Sequence, residues 1–204
     1  MKKHMFIILL SFISIATFGQ VISKGTRFIG GDFGLSVGQT KYEGEVQGKS
    51  TSIGITPSLT KFVKDNFAIT YLIGYNIGIS GGRANIYNEF NTNTAHSVSA
   101  GVYLRNYKML SEKLGISVNY GGSVGYQFSS YSSGANGSQG VNLNVSAGPG
   151  IIYLLNDRFA IEGSTSLVNL TAGYTWLDDA NIVNLSLGVS ANPGLGIGFR
   201  YFLK

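Results

Sequence analysis

The sequence predicts an all-β fold, an eight-stranded antiparallel up-and-down barrel, and three observations carry that expectation. Apolar residues recur at every second position over long stretches, which is the period of a strand and not of a helix. Glycine, at 29 of 204 residues, interrupts every candidate helical face. A unit of about 45 residues, each holding two strands, recurs four times along the chain. Charged residues are 12% of the chain, where soluble domains average about 25%. With no cysteine, disulfide frameworks, thiolate metal sites, cysteine nucleophiles and lipidated cysteine anchors are excluded.

Residues 1–20 stand apart from the fold. Lys2, Lys3 and His4 precede an apolar run from Met5 to Phe18, and small residues at Thr17 and Gly19 come just before Gln20. This is the layout of a secretory signal peptide cleaved near Gly19/Gln20, since the run is shorter than the roughly 20 residues a membrane helix needs. Residues 21–204 then form one domain. Removing the leader takes two lysines from the 15 basic residues, leaving 13 against 10 acidic ones. A net charge near +3, dispersed along the chain, gives no reason to expect a nucleic-acid partner.

The strands follow in order. Weaker alternation marks 27–39 and 51–61. In the next stretch Phe67, Ile69, Tyr71, Ile73, Tyr75, Ile77 and Ile79 alternate with small or polar residues. A weaker stretch at 96–106 follows. Leu114 to Phe128 and Val141 to Leu155 repeat the strong pattern. Over 158–176 the apolar parity changes between Ile161 and Leu170, which predicts a bulge near Leu167 and Val168. The last stretch is the clearest: every second residue from Val183 to Leu203 is apolar, and of the interleaved residues only Phe202 is not glycine or polar. Pro57, Pro149 and Pro193 fall inside strands, where each removes a ladder hydrogen bond, so local bulges are expected there. Short connections at 62–66, 107–112 and 156–157 alternate with longer ones around 40–50, 81–95, 129–140 and 173–181, rich in Gly, Ser, Asn and charge. That is the wiring of a transmembrane barrel.

Alternation alone does not distinguish a membrane barrel from a soluble one; side-chain size does. A soluble barrel fills its centre with bulky apolar groups and wets its outside with charge. Here the bulky face carries almost no charge and the opposite face is Gly, Ser, Asn and Thr, which suits hydrocarbon outside and a narrow polar lumen inside. Phe67, Tyr153, Phe159, Phe199 and Tyr201 near the short turns, and Tyr126, Phe128, Tyr174 and Trp176 near the long loops, would form two aromatic girdles.

The signal segment, the repeated strand–turn units and the ending Gly196-Ile197-Gly198-Phe199-Arg200-Tyr201-Phe202-Leu203-Lys204 resemble the small outer-membrane β-barrel domain family of Gram-negative bacteria, the eight-stranded OmpA- and OmpX-like type. The resemblance implies an outer-membrane location among lipid and lipopolysaccharide, and a last strand read by the barrel-assembly machinery. Ending in Lys204 instead of an aromatic departs from that element. The expected role is structural or surface-interacting through the loops and non-enzymatic, with a small diffusion channel or a lipid-modifying enzyme as alternatives.

Four ionisable residues fall on the inward parity near the short turns: Asp32, Arg105, Glu162 and Arg200. Charges in a narrow lumen need partners, so Arg200 is expected to pair with Asp32 or Glu162 on the strands flanking its own. Such a set could be a gate or proton path, but more often it is a polar plug. His96, with Ser97, Ser99 and Glu89 nearby in sequence, is the one histidine a catalytic reading could use. One histidine in the mature chain and no cysteine predict no metal or cofactor. Gly194, Gly196 and Gly198 have no following helix and so form no phosphate loop. The loop residues Lys41, Glu43, Glu45, Lys49, Arg83, Glu89, Asp178 and Asp179 lean acidic.

Overall fold

The computed structural model describes residues 21–42, 45–84, 89–131, 137–176, 181–189 and 196–203. The predicted leader, Pro193 and Lys204 lie outside the described residues. Ten strand segments run in chain order: β1 Arg27–Tyr42, β2 Glu45–Lys64, β3 Phe67–Ala84, β4 Glu89–Met109, β5 Leu114–Tyr131, β6 Gln139–Leu154, β7 Phe159–Ser164, β8 Val168–Trp176, β9 Asn181–Val189 and β10 Gly196–Leu203. All neighbours pair antiparallel, and β1 meets β10, so the sheet closes on itself. β6 pairs with β7 and then with β8, which together form the seventh wall strand, while β9 and β10 supply the eighth. The result is a closed eight-strand barrel.

The alternation predicted from the sequence sets which side chain faces which way. Ile29, Leu59, Tyr71, Val102, Ile116, Tyr153, Phe159 and Phe199 all lie exposed on the outer wall. Inward positions are small and polar: Thr60 and Thr70 bond hydroxyl to hydroxyl at 2.7 Å, Asn144 donates to Thr171 at 3.0 Å, and Tyr103 lies 3.1 Å from Ser146. Exposed large apolar side chains outnumber buried ones several-fold, the reverse of a water-soluble core.

The bulge expected on the seventh strand is present. Ser164 pairs with Gly150 but Val168 pairs with Ala147, so one extra residue sits between them on the β7–β8 side. Thr165 and Leu167 still donate across it, to Pro149 at 3.0 Å and Ala147 at 2.9 Å. The bulge therefore lies opposite Pro149, on the neighbouring strand. At Pro57 the expectation of a bulge needs correcting. Register on both sides of Pro57 is unchanged; β2 simply lacks rungs to β3 between Ile55 and Ser58 while Pro57 still faces Gly31 on β1. A missing N–H removes a bond without demanding an extra residue.

The connections also differ from expectation. Strand pairing runs on through most of the stretches read as long loops, with Gln39 opposite Lys49 and Gly82 opposite Asn91. Antiparallel hairpins of Gly, Ser, Thr and Asn can keep their ladder bonds without apolar burial, and composition alone hid this. β2 and β4, at 20 and 21 residues, would span roughly 50 Å along a barrel axis at ordinary rise and tilt. An apolar band is about 25 Å tall, so the upper ladders stand clear of it.

Short-turn chemistry is local. Asn66 takes a left-handed backbone at φ 58°, which Asn tolerates in a tight hairpin. Its side chain accepts the Ile22 N–H at 2.9 Å, and Asp65 accepts that of Lys24 at 2.8 Å. Residues 21–26 are thereby folded across the short-turn end. Asn156 closes the β6–β7 turn by accepting from Arg158 and Phe159.

Candidate functional site

Inside the short-turn end lies the one apolar cluster among the described residues: Ile22, Phe28, Phe62, Ala68, Tyr107, Met109, Ile152 and Ala160, with Leu154 and Phe202 against it. Phe28 stacks obliquely on Phe62 and Phe202, with centroids 6.0 and 5.2 Å apart, and Phe62 on Tyr107 at 5.4 Å. Phe202, the exception to the polar parity of the last strand, belongs to this floor.

Directly above it the barrel brings together all four lumenal charges picked out from the sequence. Glu162 is 1% exposed, and its Oε2 accepts from Arg105 Nη1 at 2.6 Å and from Arg200 Nε at 2.7 Å. Arg200 reaches on to Asp32 Oδ1 at 2.7 Å. It thus pairs with both expected partners, and its Nη1 also donates to the Gly31 and Phe199 carbonyls. Arg105 crosses from β4 to β7, so the cluster ties walls that are not neighbours. Room for the Arg200 side chain comes from glycines: a Cβ at Gly30 would lie 2.7 Å from Arg200 Cδ, and one at Gly198 would run into Asp32 and Arg200.

One member was missed by the sequence reading. Tyr107 donates its hydroxyl to Glu162 Oε1 at 3.1 Å. The sequence places it in a short connection at 107–112, whereas β4 continues to Met109. Extending the parity of Arg105 by two residues would have found it. Above the network a cavity of about 260 Å³ is lined by Asp32, Tyr103, Arg105, Asn119, Ser146 and Thr165. The side-chain amide of Asn119 has no protein partner, so its polar atoms call for solvent there.

His96 is elsewhere. Its Nδ1 lies 2.8 Å from the Tyr75 hydroxyl and its ring stacks on Phe128 at 4.8 Å, both on the outer wall near the loop end. Ser97 and Ser99 stand opposite Asn76 and Gly74 on the inward parity. Histidine and serines therefore face opposite sides of one strand and do not converge; the side chain of Glu89 lies outside the described residues. Among the described residues no three metal-ligating side chains cluster.

No protein-family model matches the sequence, and no curated protein does. The structure is similar to the outer membrane protein OprG from Pseudomonas aeruginosa, at 16% identity and a TM-score of 0.50, over 89% of this chain and 97% of that one. It also aligns with outer membrane protein W of E. coli (16%, TM-score 0.43, 89% and 100%) and with Ail, the attachment invasion locus protein of Yersinia pestis (15%, TM-score 0.43, 88% and 99%). The likeness to OprG is one of fold: this chain has the fold of the small eight-stranded outer-membrane β-barrels.

Proposed function

We propose that the mature chain is an integral outer-membrane barrel whose lumen is closed by a structural plug, and that it acts through its loop end in envelope integrity or surface contact. The observation that carries this reading is the buried Glu162 carboxylate held by two arginines and a tyrosine over an aromatic floor. Arg200, Glu162, Phe28 and Phe62 are each 1% exposed or less, so the short-turn half is filled by side chains. The outer wall supports membrane insertion, since a closed ladder satisfies the backbone and an uncharged apolar belt meets acyl chains. Lipid and lipopolysaccharide are then its surroundings, and the signal segment and barrel-assembly machinery its route.

The separation of His96 from the serines supports a non-enzymatic role. The test against the channel alternative is planar-bilayer recording. A plugged barrel gives no stable conductance steps in wild type, whereas reproducible steps in wild type overturn the plug.

A further inference from the structure

The charges of the mature chain segregate into three zones. The lumenal set is balanced, two acids against two bases. The loop end leans acidic by sequence. Among the described residues of the short-turn end, Lys24, Arg27, Lys61, Lys64, Lys108, Lys113 and Arg158 face only Asp65, Glu112 and Asp157, that is 7 − 3 = +4. All seven bases are exposed, and every ion pair among the described residues belongs to the lumenal network, so none of the seven is in one.

Three of these bases do not point along the barrel axis. Arg27, Lys61 and Lys108 sit on the outward parity at the last rungs of their strands, beside Leu203, Ile69 and Ile116 respectively. Arg27 and Lys61 are direct cross-strand partners, a like-charge pair that costs stability unless an anion lies between them. One strand further round, the Arg158 carbonyl accepts from Phe202 of β10, so Arg158, Arg27 and Lys61 follow one another along the rim of β7, β10, β1 and β2. Tyr201, outward on β10 opposite Phe159, lies just above. Sideways-facing cations at the lower edge of an apolar belt meet headgroups, whereas a partner in the aqueous space would meet the turn residues.

Resting on the membrane reading above, we infer that this rim is a binding surface for anionic phospholipid in the leaflet on the short-turn side, with the phosphodiester of a phosphatidylglycerol-type headgroup seated between Arg27 and Lys61.

Electron spin resonance with spin-labelled lipids tests it. The protein is reconstituted in phosphatidylcholine bilayers carrying spin-labelled phosphatidylglycerol or phosphatidylcholine. With each basic residue near the surface attracting anionic lipid appreciably, wild type should select phosphatidylglycerol about fivefold. Salt at about 1 M should bring the ratio towards one, as should the double variant Arg27→Gln/Lys61→Gln. Equal association of the two lipids with the inserted wild type overturns the inference while leaving the barrel in its membrane. Selectivity indifferent to salt overturns it without any variant being needed. Displacement of the lipid by millimolar inorganic phosphate reassigns the rim to a free anion and overturns the lipid assignment. Insertion itself is scored separately, by the altered mobility of unheated protein in SDS; failure there removes the membrane reading and this one together.

Discussion

Glu162 is the residue on which the interior turns. Its Oε2 is shared by Arg105 and Arg200, and Tyr107 holds its other oxygen. Replacing it with Gln keeps the shape but leaves the buried Arg105 without a counter-charge and Arg200 with Asp32 alone. Removing one partner of such a set costs about 3 kcal/mol or more, so Glu162→Gln should lower the unfolding midpoint in urea, followed by the loss of the fast-migrating band in cold SDS electrophoresis. Parity made the four charges legible in the sequence, because Asp32, Arg105, Glu162 and Arg200 each fall on the alternate set of their strand that does not carry the bulky apolar residues. Parity did not say that one carboxylate would serve both arginines, since that depends on how far Arg105 reaches across the lumen. Tyr107 was lost for another reason: a strand end without strong alternation looks like a turn until the neighbouring strand supplies its hydrogen bonds.

At the scale of elements, the bulge on the seventh strand matters most. The extra residue between Ser164 and Val168 restores the apolar face to the outside on both sides of the irregularity. Deleting Ser166 would leave two residues facing two between Ser164 and Val168, so the ladder would run on regularly and Val168, Leu170, Tyr174 and Trp176 would keep their outward side. The expected outcome is a chain that still inserts, seen as different mobilities in SDS with and without boiling; a single mobility would show that the bulge does more than reset parity. The change of apolar parity along 158–176 announced this bulge, because parity is a sequence property. The prolines did not announce their consequences equally. Pro57 only leaves rungs unmade, and Pro149 faces the irregularity on another strand. Which occurs depends on whether the neighbour can bulge, and that is tertiary. The upper hairpins were likewise hidden, since Gly, Ser and Asn spell a loop or a solvated ladder in the same letters.

For the whole molecule, closure and the filled floor make one rigid body, and unheated protein should keep its compact mobility in SDS while boiled protein runs as an extended chain. Equal mobilities would contradict a closed ladder. Fold class was readable because a barrel in lipid must repeat one rule at every strand, outward apolar and inward small. The partition of charge between the two rims was present in the sequence too, but it becomes a surface only when the strand ends are gathered on one circle. Seven of the eight walls arise between strands adjacent in the chain, whereas β1 finds β10 across nearly the full sequence, from Arg27 opposite Leu203 to Phe33 opposite Ile197. Until that final segment arrives, the first strand keeps a row of unanswered amides and carbonyls on one flank. The hazard for a newly made copy is therefore one of timing, with the first-born edge needing a guardian until the last-born segment can take its place.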